Sequence, residues 1–480
     1  MAASKKDPEP GSFRDMRLIA FLLALSFFYA PTAAARPDFE AAGKSVRELL
    51  GALVAADTTN PPGNEARIAK IGEKRLQAAG IPSRRTEFAP GRENLVARLK
   101  GSGKQDPLLL IAHIDIVGAR ADAWSTPPHQ MTEKDGYLYG RGVADDLGMA
   151  AVELVVLELL KANKVPLRRD VILAWTGDEE SGGAGIQWLL ENEPESIQAA
   201  GALNEGGGLR LNSEGVPARI DLQTAEKTYE DFTLTTVGPT GHSSTPLPDN
   251  AIYRLARALT RIEAYSFPPR LLPVTRAWLA AKAPLENETR SNAMRSLVES
   301  KGELPQDSLE ILLEDPLLAA NLRTTCVATL LEAGSRVNAL PGKATANVNC
   351  RILPDSSTEA VQAQLVALID DPKVQIEATG NFGSGAPSPV GGEIPEAIVR
   401  RAKAFWPEMQ LVPFMSRGAT DSRFLRAAGI PAYGISPILI SDEDGSRLHG
   451  IDERIPAKSL QPAVEFLYAL VVDLAGDPNP

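Results

Sequence analysis

Apolar and polar positions follow two different periods along the chain, and the change between them divides it. Over residues 39–228, helix-spaced runs alternate with short, wholly apolar ones. Helical spacing occupies 45–55 and the stretch PGNEARIAKIGEKRLQAAG, which stops at Gly80. The apolar runs at 108–112 and 171–175 have the length and turn-bounded ends of buried strands. Between them, GMAAVELVVLELLKANK has the spacing of a crossover helix. The pattern predicts an α/β domain with a largely parallel central sheet.

Near Tyr229 the period becomes two. DFTLTTVG alternates like a half-exposed strand, NAIYRLARALTRIEAY reads as a helix, two strand-like runs fall within 324–354, and TEAVQAQLVALI gives a second helix. This predicts a smaller α+β insert over 230–370, with the Pro-rich and then helical stretch 265–322 as an elaboration of it. From 371 the first pattern resumes through EAIVRRAKAFW, strand-like LVPF and the helix SLQPAVEFLYALVVDLAG. One domain, 36–229 and 371–480, is thus interrupted by a second.

The amino terminus adds a targeting expectation. LIAFLLALSFFYAPTAAA, at 18–35, follows Arg17 and closes on small residues, as a secretory signal peptide cleaved near Ala35 does. The start is Met1 or Met16, the latter giving the more ordinary opening MRLIAFLLAL. An uncleaved anchor is the alternative, but the run breaks at Pro31 and is short for a span. The expected location is periplasmic or secreted, with no stable membrane span after cleavage. The net charge of −11, without a basic stripe, argues against a nucleic-acid binder. Cys326 and Cys350 are the two cysteines of 480 residues; they lie on neighbouring strand-like runs, as one bridge or as two buried thiols.

Candidate chemistry gathers in loops. TGDEESGG places Asp178, Glu179 and Glu180 side by side after the apolar VILAW, and carboxylates crowded at a strand end need positive charge to hold them. His113 and Asp115, in HIDIV, share a strand face, so the aspartate can orient a metal-binding imidazole. Asp145 and Asp146 occupy a Gly-rich turn ahead of a helix, which one of them could simply cap. Glu205 precedes three glycines, and His449 lies in HGIDERI. Imidazole with carboxylate is a donor set for zinc, or for manganese or cobalt.

HIDIV, GRGVADDLG, TGDEESGG, NEGGG, GPTGHSSTP and HGIDERI, in that order, resemble the motifs of the dinuclear zinc metallopeptidases and deacylases. That family includes carboxypeptidase G, carboxypeptidase S, acetylornithine deacetylase, succinyl-diaminopimelate desuccinylase, aminoacylase and carnosinase. The resemblance implies a catalytic α/β domain with a lid and two Zn2+ per subunit, replaceable by Co2+ or Mn2+. Asp145 would bridge the ions, Glu180 and His449 completing one ligand set, His113 and Glu205 the other. Asp115 would brace His113, a cis peptide would join Asp145 to Asp146, and Glu179 would be the general base. From the lid, His242 would stabilise the oxyanion, usually in a partner subunit, while Asn338 and Arg351 would bind substrate. Gly418 and Thr420, in SRGATDSRFL, would line the pocket, and His129 stays a loop histidine. Leu147 stands where the family usually has lysine, at a position that is not a ligand.

The resemblance implies cleavage of an amide next to a free carboxylate, by a metallocarboxypeptidase or dipeptidase. The alternative is an N-acyl-amino-acid deacylase, because the stretch 266–322 resembles the carboxypeptidase S-like branch, which includes enzymes acting on fatty-acyl amino acids. A non-catalytic binding module of the same fold is a third reading. The expected partners are a peptide or N-acyl amino acid and, through the lid, a second copy of the chain.

Overall fold

The computed structural model describes residues 37–380 and 385–478; the apolar segment at 18–35 and its cleavage site lie outside them. Among these residues an eight-stranded sheet runs in the order Ser83–Ala89, Arg92–Leu99, Val171–Thr176, Leu108–His113, Gly201–Leu211, Ala432–Ser441, Pro217–Glu226, Gln410–Ser416. The four strands from Val171–Thr176 to Ala432–Ser441 are mutually parallel. Antiparallel pairings flank them on both sides, so the sheet is mixed and its parallel part is the centre.

Alternation within the apolar strands feeds two cores. Leu108, Leu110 and Ala112 face one with Val171, Leu173 and Trp175, under helices Phe39–Ala55, Leu147–Ala162 and Leu460–Ala475. Leu109, Ile111, Ile172 and Ala174 face the other, against Ile186, Leu189, Phe424 and Leu425. A strand covered on both faces has no polar side to show, hence the unbroken apolar runs. Helix Leu147–Ala162 is buried along most of its length. Helix Phe39–Ala55 starts six residues before the expected 45, because the Asp38 side chain accepts the Ala41 N–H at 3.0 Å and caps it.

A four-stranded antiparallel sheet, Thr325–Ala333, Lys343–Ile352, Thr228–Val237, Val374–Ala378, forms the lid, with helices Ala251–Glu263 and Thr358–Ile369 on its buried face. Cys326 lies directly opposite Cys350, and the two form a disulfide. The helices of 265–322 have a core of their own around Leu279, Met294, Leu297 and Leu312. They are more than an elaboration of the insert: Leu272 and Val274 pack on Met415 of Gln410–Ser416, so helix Pro273–Lys282 covers the outermost strand of the main sheet.

Candidate active site

The parallel strands bring their carboxyl ends together, and the site lies there. His113 ends its strand in register with Thr176, after which the chain turns through Gly177 and Asp178 into Glu179 and Glu180. Glu205 lies on the neighbouring strand Gly201–Leu211. The glycines after it are a spatial requirement: a Cβ on Gly207 would meet carbonyl oxygens of Asp221 and Gly434 at 2.2 and 2.3 Å. Asp145 and Asp146 are joined by a cis peptide at the start of helix Leu147–Ala162. Asp146 makes no capping bond there, so the turn's aspartates are not explained as helix caps.

Asp145 stands between the two histidines. One carboxylate oxygen is 3.0 Å from His113 Nε2, the other 3.1 Å from His449 Nε2. His449 Nε2 is also 3.1 Å from Glu180 Oε2, and His113 Nε2 is 4.0 Å from Glu205 Oε1. These contacts separate Glu180 with His449 from His113 with Glu205, on either side of Asp145. Donor atoms of His113, Asp145 and Glu180 lie within 4.8 Å of one another, as do those of His113, Glu179 and Glu205.

Asp115 is placed by chemistry beyond the expected brace. The His113 Nδ1 is 3.0 Å from the Asp115 carbonyl oxygen and 3.6 Å from its carboxylate. That carboxylate accepts the backbone N–H groups of Glu179 and Glu180 at 3.0 and 3.2 Å, and an Asn60 N–H at 2.8 Å.

The electrostatics call for cations. Burial, reinforced by neighbouring acids, raises the Glu179 and Glu205 carboxyls well above their ordinary values. Asp145 and Glu180 hold the His449 imidazole protonated up to about 10. Among the described residues, Glu180 Oε1 and both Asp146 carboxylate oxygens are buried without a hydrogen-bond partner. Buried carboxylates in this state are normally paired or bound to metal. The donors fit a pair of zinc-type ions.

Beside this cluster a cavity of about 470 Å³ is lined by Glu179, Glu205, His449, Arg351, Gly418 and Thr420, among others. The Arg351 guanidinium lies 4.5 Å over the Tyr229 ring and donates to the Arg417 carbonyl at 2.8 Å. Thr420 is buried, its hydroxyl donating to Glu226 at 2.7 Å, while Gly418 is exposed. His242 and Asn338 come together elsewhere: His242 pairs with Ala339 in a two-stranded ribbon, and the Ser243 N–H donates to the Asn338 carbonyl. Neither lines the cavity beside this chain's metal-type cluster. His129 sits in a loop, 3.5 Å from Asp57.

The structure adds Glu453, two residues beyond HGI in a motif already singled out. It is fully buried and accepts from Arg141 at 2.6 Å and from the N–H groups of Gly142, Ala144 and Asp145 at 3.1, 2.8 and 3.1 Å. Arg141 also donates to the Gly450 carbonyl at 2.7 Å, so one buried ion pair ties the Asp145 loop to the His449 loop. Asp421 is a second addition. Burial pushes its carboxyl up to about 6, and it accepts from the Thr176 hydroxyl at 2.6 Å.

Residues 109–473 match the model of peptidase family M20/M25/M40. The chain belongs to that family. Among its M20 relatives is the N-fatty-acyl-amino acid synthase/hydrolase PM20D1 of Homo sapiens, 30% identical over 385 residues, covering 78% of this chain and 75% of that one. Aminoacylase-1 of Mus musculus is 25% identical over 415 residues, covering 85% and 90%. The fold is shared with the M20 metallo-carboxypeptidase Sso-CP2 of Sulfolobus solfataricus, at a TM-score of 0.68 and 19% identity over 89% of this chain and 98% of that one. As an M20 enzyme, the protein is a dinuclear-metal hydrolase acting on peptide or acyl-amino-acid substrates.

Proposed function

We propose that this M20 enzyme hydrolyses N-acyl amino acids, long-chain acyl groups included, at the amide next to the free carboxylate. The observation that carries the reading is the position of Arg351, which lines the same cavity as Glu179 and the metal-type cluster. A guanidinium there can take the substrate's carboxylate in a two-point clamp and set the amide over the cluster. A dipeptide offers the same carboxylate, and the 28% identity to the probable carboxypeptidase S-like 2 of Dictyostelium discoideum keeps the carboxypeptidase reading second. The name of the human relative and the match to aminoacylase-1 shift the weight from that reading to acyl amino acids.

Two bound zinc ions would polarise the amide carbonyl and lower the pKa of the attacking water. Glu179 takes the water proton as its oxygen bonds to the carbonyl carbon, then delivers a proton to the amide nitrogen as the C–N bond breaks. Fatty acid and free amino acid leave. Asp145, Glu180 and His449, with His113 and Glu205, would hold the ions, and Asp115 fixes the backbone that aims both glutamates. His242 and Asn338 serve the site of a second copy, paired through the edge strand Thr325–Ala333, whose Val327, Leu330 and Leu331 are exposed. Export by the amino-terminal segment agrees with the Cys326–Cys350 bridge, since disulfides persist in oxidising compartments.

Zinc-loaded enzyme, assayed on N-palmitoyl, N-acetyl and dipeptide substrates with Glu179→Gln as control, tests this. Turnover of acyl amino acids, lost in the control, is expected. Cleavage confined to dipeptides overturns the acyl reading.

A further inference from the structure

A second cavity of about 600 Å³ lies against the first, and Arg351 and Gly418 line both. Three parts of the chain build it. Trp278 and Asn321 come from the helical block, Arg351 from the lid sheet, and Phe414 to Gly418 from the outermost strand of the main sheet and the turn after it. Its apolar wall is Trp278, Phe414 and Met415: two aromatic faces and a thioether, a combination suited to a flat or branched apolar group.

The geometry points to this cavity as the specificity pocket for the side chain of the amino acid being released, selecting large apolar and aromatic side chains. The inference rests on the carboxylate clamp proposed for Arg351. Carboxylate, side chain and scissile nitrogen are all bonded to one α-carbon. With the carboxylate on Arg351 and the nitrogen over the metal-type cluster, the side chain leaves the α-carbon beside Arg351, where the second cavity begins. The acyl group lies on the other side of the carbonyl, turned away from that wall. Trp278 belongs to helix Pro273–Lys282, so the block that covers the sheet edge would also supply the pocket's far wall.

The test varies the two halves of the substrate separately. N-palmitoyl derivatives of phenylalanine, leucine, glycine and aspartate are compared by kcat/KM, then N-acyl phenylalanines of 2 to 16 acyl carbons. The expected preference for phenylalanine over glycine is roughly 10- to 100-fold, the worth of burying one large apolar side chain. Trp278→Ala should reduce it about tenfold while leaving the chain-length series parallel to wild type. Because Trp278 is half-buried against the core of its block, Phe414→Trp provides a second variant, which fills the pocket and should penalise phenylalanine but not glycine. If both variants alter the chain-length series and spare the amino-acid preference, the cavity holds the acyl tail and the inference is overturned. If they alter neither, it is overturned as well. Should the enzyme cleave dipeptides only, the same comparison on their carboxy-terminal residue still decides the pocket, so failure of the acyl-substrate reading shows separately.

Discussion

The Asp115 carboxylate accepts the Glu179 backbone N–H at 3.0 Å, while its other oxygen takes that of Glu180 at 3.2 Å. One side chain thus sets the orientation of the proposed base and of a proposed metal ligand. Asp115→Asn replaces one acceptor oxygen with an amide nitrogen that cannot accept. We expect kcat/KM to fall about 10- to 100-fold, the usual range for residues supporting metal ligands. Steady-state kinetics with metal content measured on the same sample checks it, and unchanged kinetics would refute the orienting role.

Glu179→Gln should separate rate from metal affinity. The amide cannot take the water proton, so kcat should drop about 10²- to 10⁴-fold. Two equivalents of zinc should remain bound at saturating metal. Glu180→Gln, in contrast, should lose both rate and metal, as elemental analysis after dialysis would show.

Glu453 bears on stability as much as on activity. Glu453→Ala leaves the Arg141 guanidinium buried with one carbonyl partner and frees three backbone N–H groups. Breaking a buried pair from one side costs about 3–5 kcal/mol, to be read from denaturant unfolding. Arg141→Met together with Glu453→Met should recover part of that loss but little activity, because the two loops stay untied.

Chelation gives a ligand-linked prediction. Ions that bind only the folded chain stabilise it by RT ln(1 + [L]/Kd), about 4 kcal/mol at a thousandfold excess over Kd. Prolonged chelation should therefore abolish activity and lower Tm, and Zn2+, Co2+ or Mn2+ should restore both. A chelated enzyme of unchanged Tm would argue against ions bridging these loops.

Lys227 predicts a pH dependence outside the metal cluster. Burial, with Arg351 and Arg417 adding repulsion, lowers its ammonium from 10.5 to about 7. Between these values the unfolded chain carries a proton that the folded one lacks, so stability rises with pH across that window. Below about 7 both forms are charged and the full burial cost remains. Lys227→Met should remove this rise, on the order of a few kcal/mol in total, in unfolding curves compared at pH 7 and pH 10. Equal slopes in both proteins would contradict it.

Much of the fold could be read from sequence because doubly covered strands must be apolar throughout. The segments at 108–112 and 171–175 stood out for that reason, and their ends led directly to His113 and to Glu179 and Glu180. Strands Ser83–Ala89, at the sheet's edge, and Arg92–Leu99 beside it escaped because they carry arginines and glutamates paired across them, Arg85 with Glu93 for one, which blur the apolar signal. The two cysteines were ambiguous until strand register set them opposite each other. Glu453 and Asp421 lay inside motifs already noticed, yet an acid paired with an arginine 312 residues away leaves no local trace. Nor did spacing alone reveal that helix Pro273–Lys282 covers the outermost strand of the main sheet.

The tie between Arg141 and Glu453 spans those same 312 residues, and His113 and His449 meet at Asp145 across a comparable length of chain. Loop closure over such distances is slow, so the ion site is among the last features a folding chain can complete. A chain truncated before His449 lacks that imidazole, Glu453 and the core helix Leu460–Ala475, and would bind metal incompletely. Tight metal uptake would then mark a finished molecule, a chemical proofreading of the polypeptide's own length.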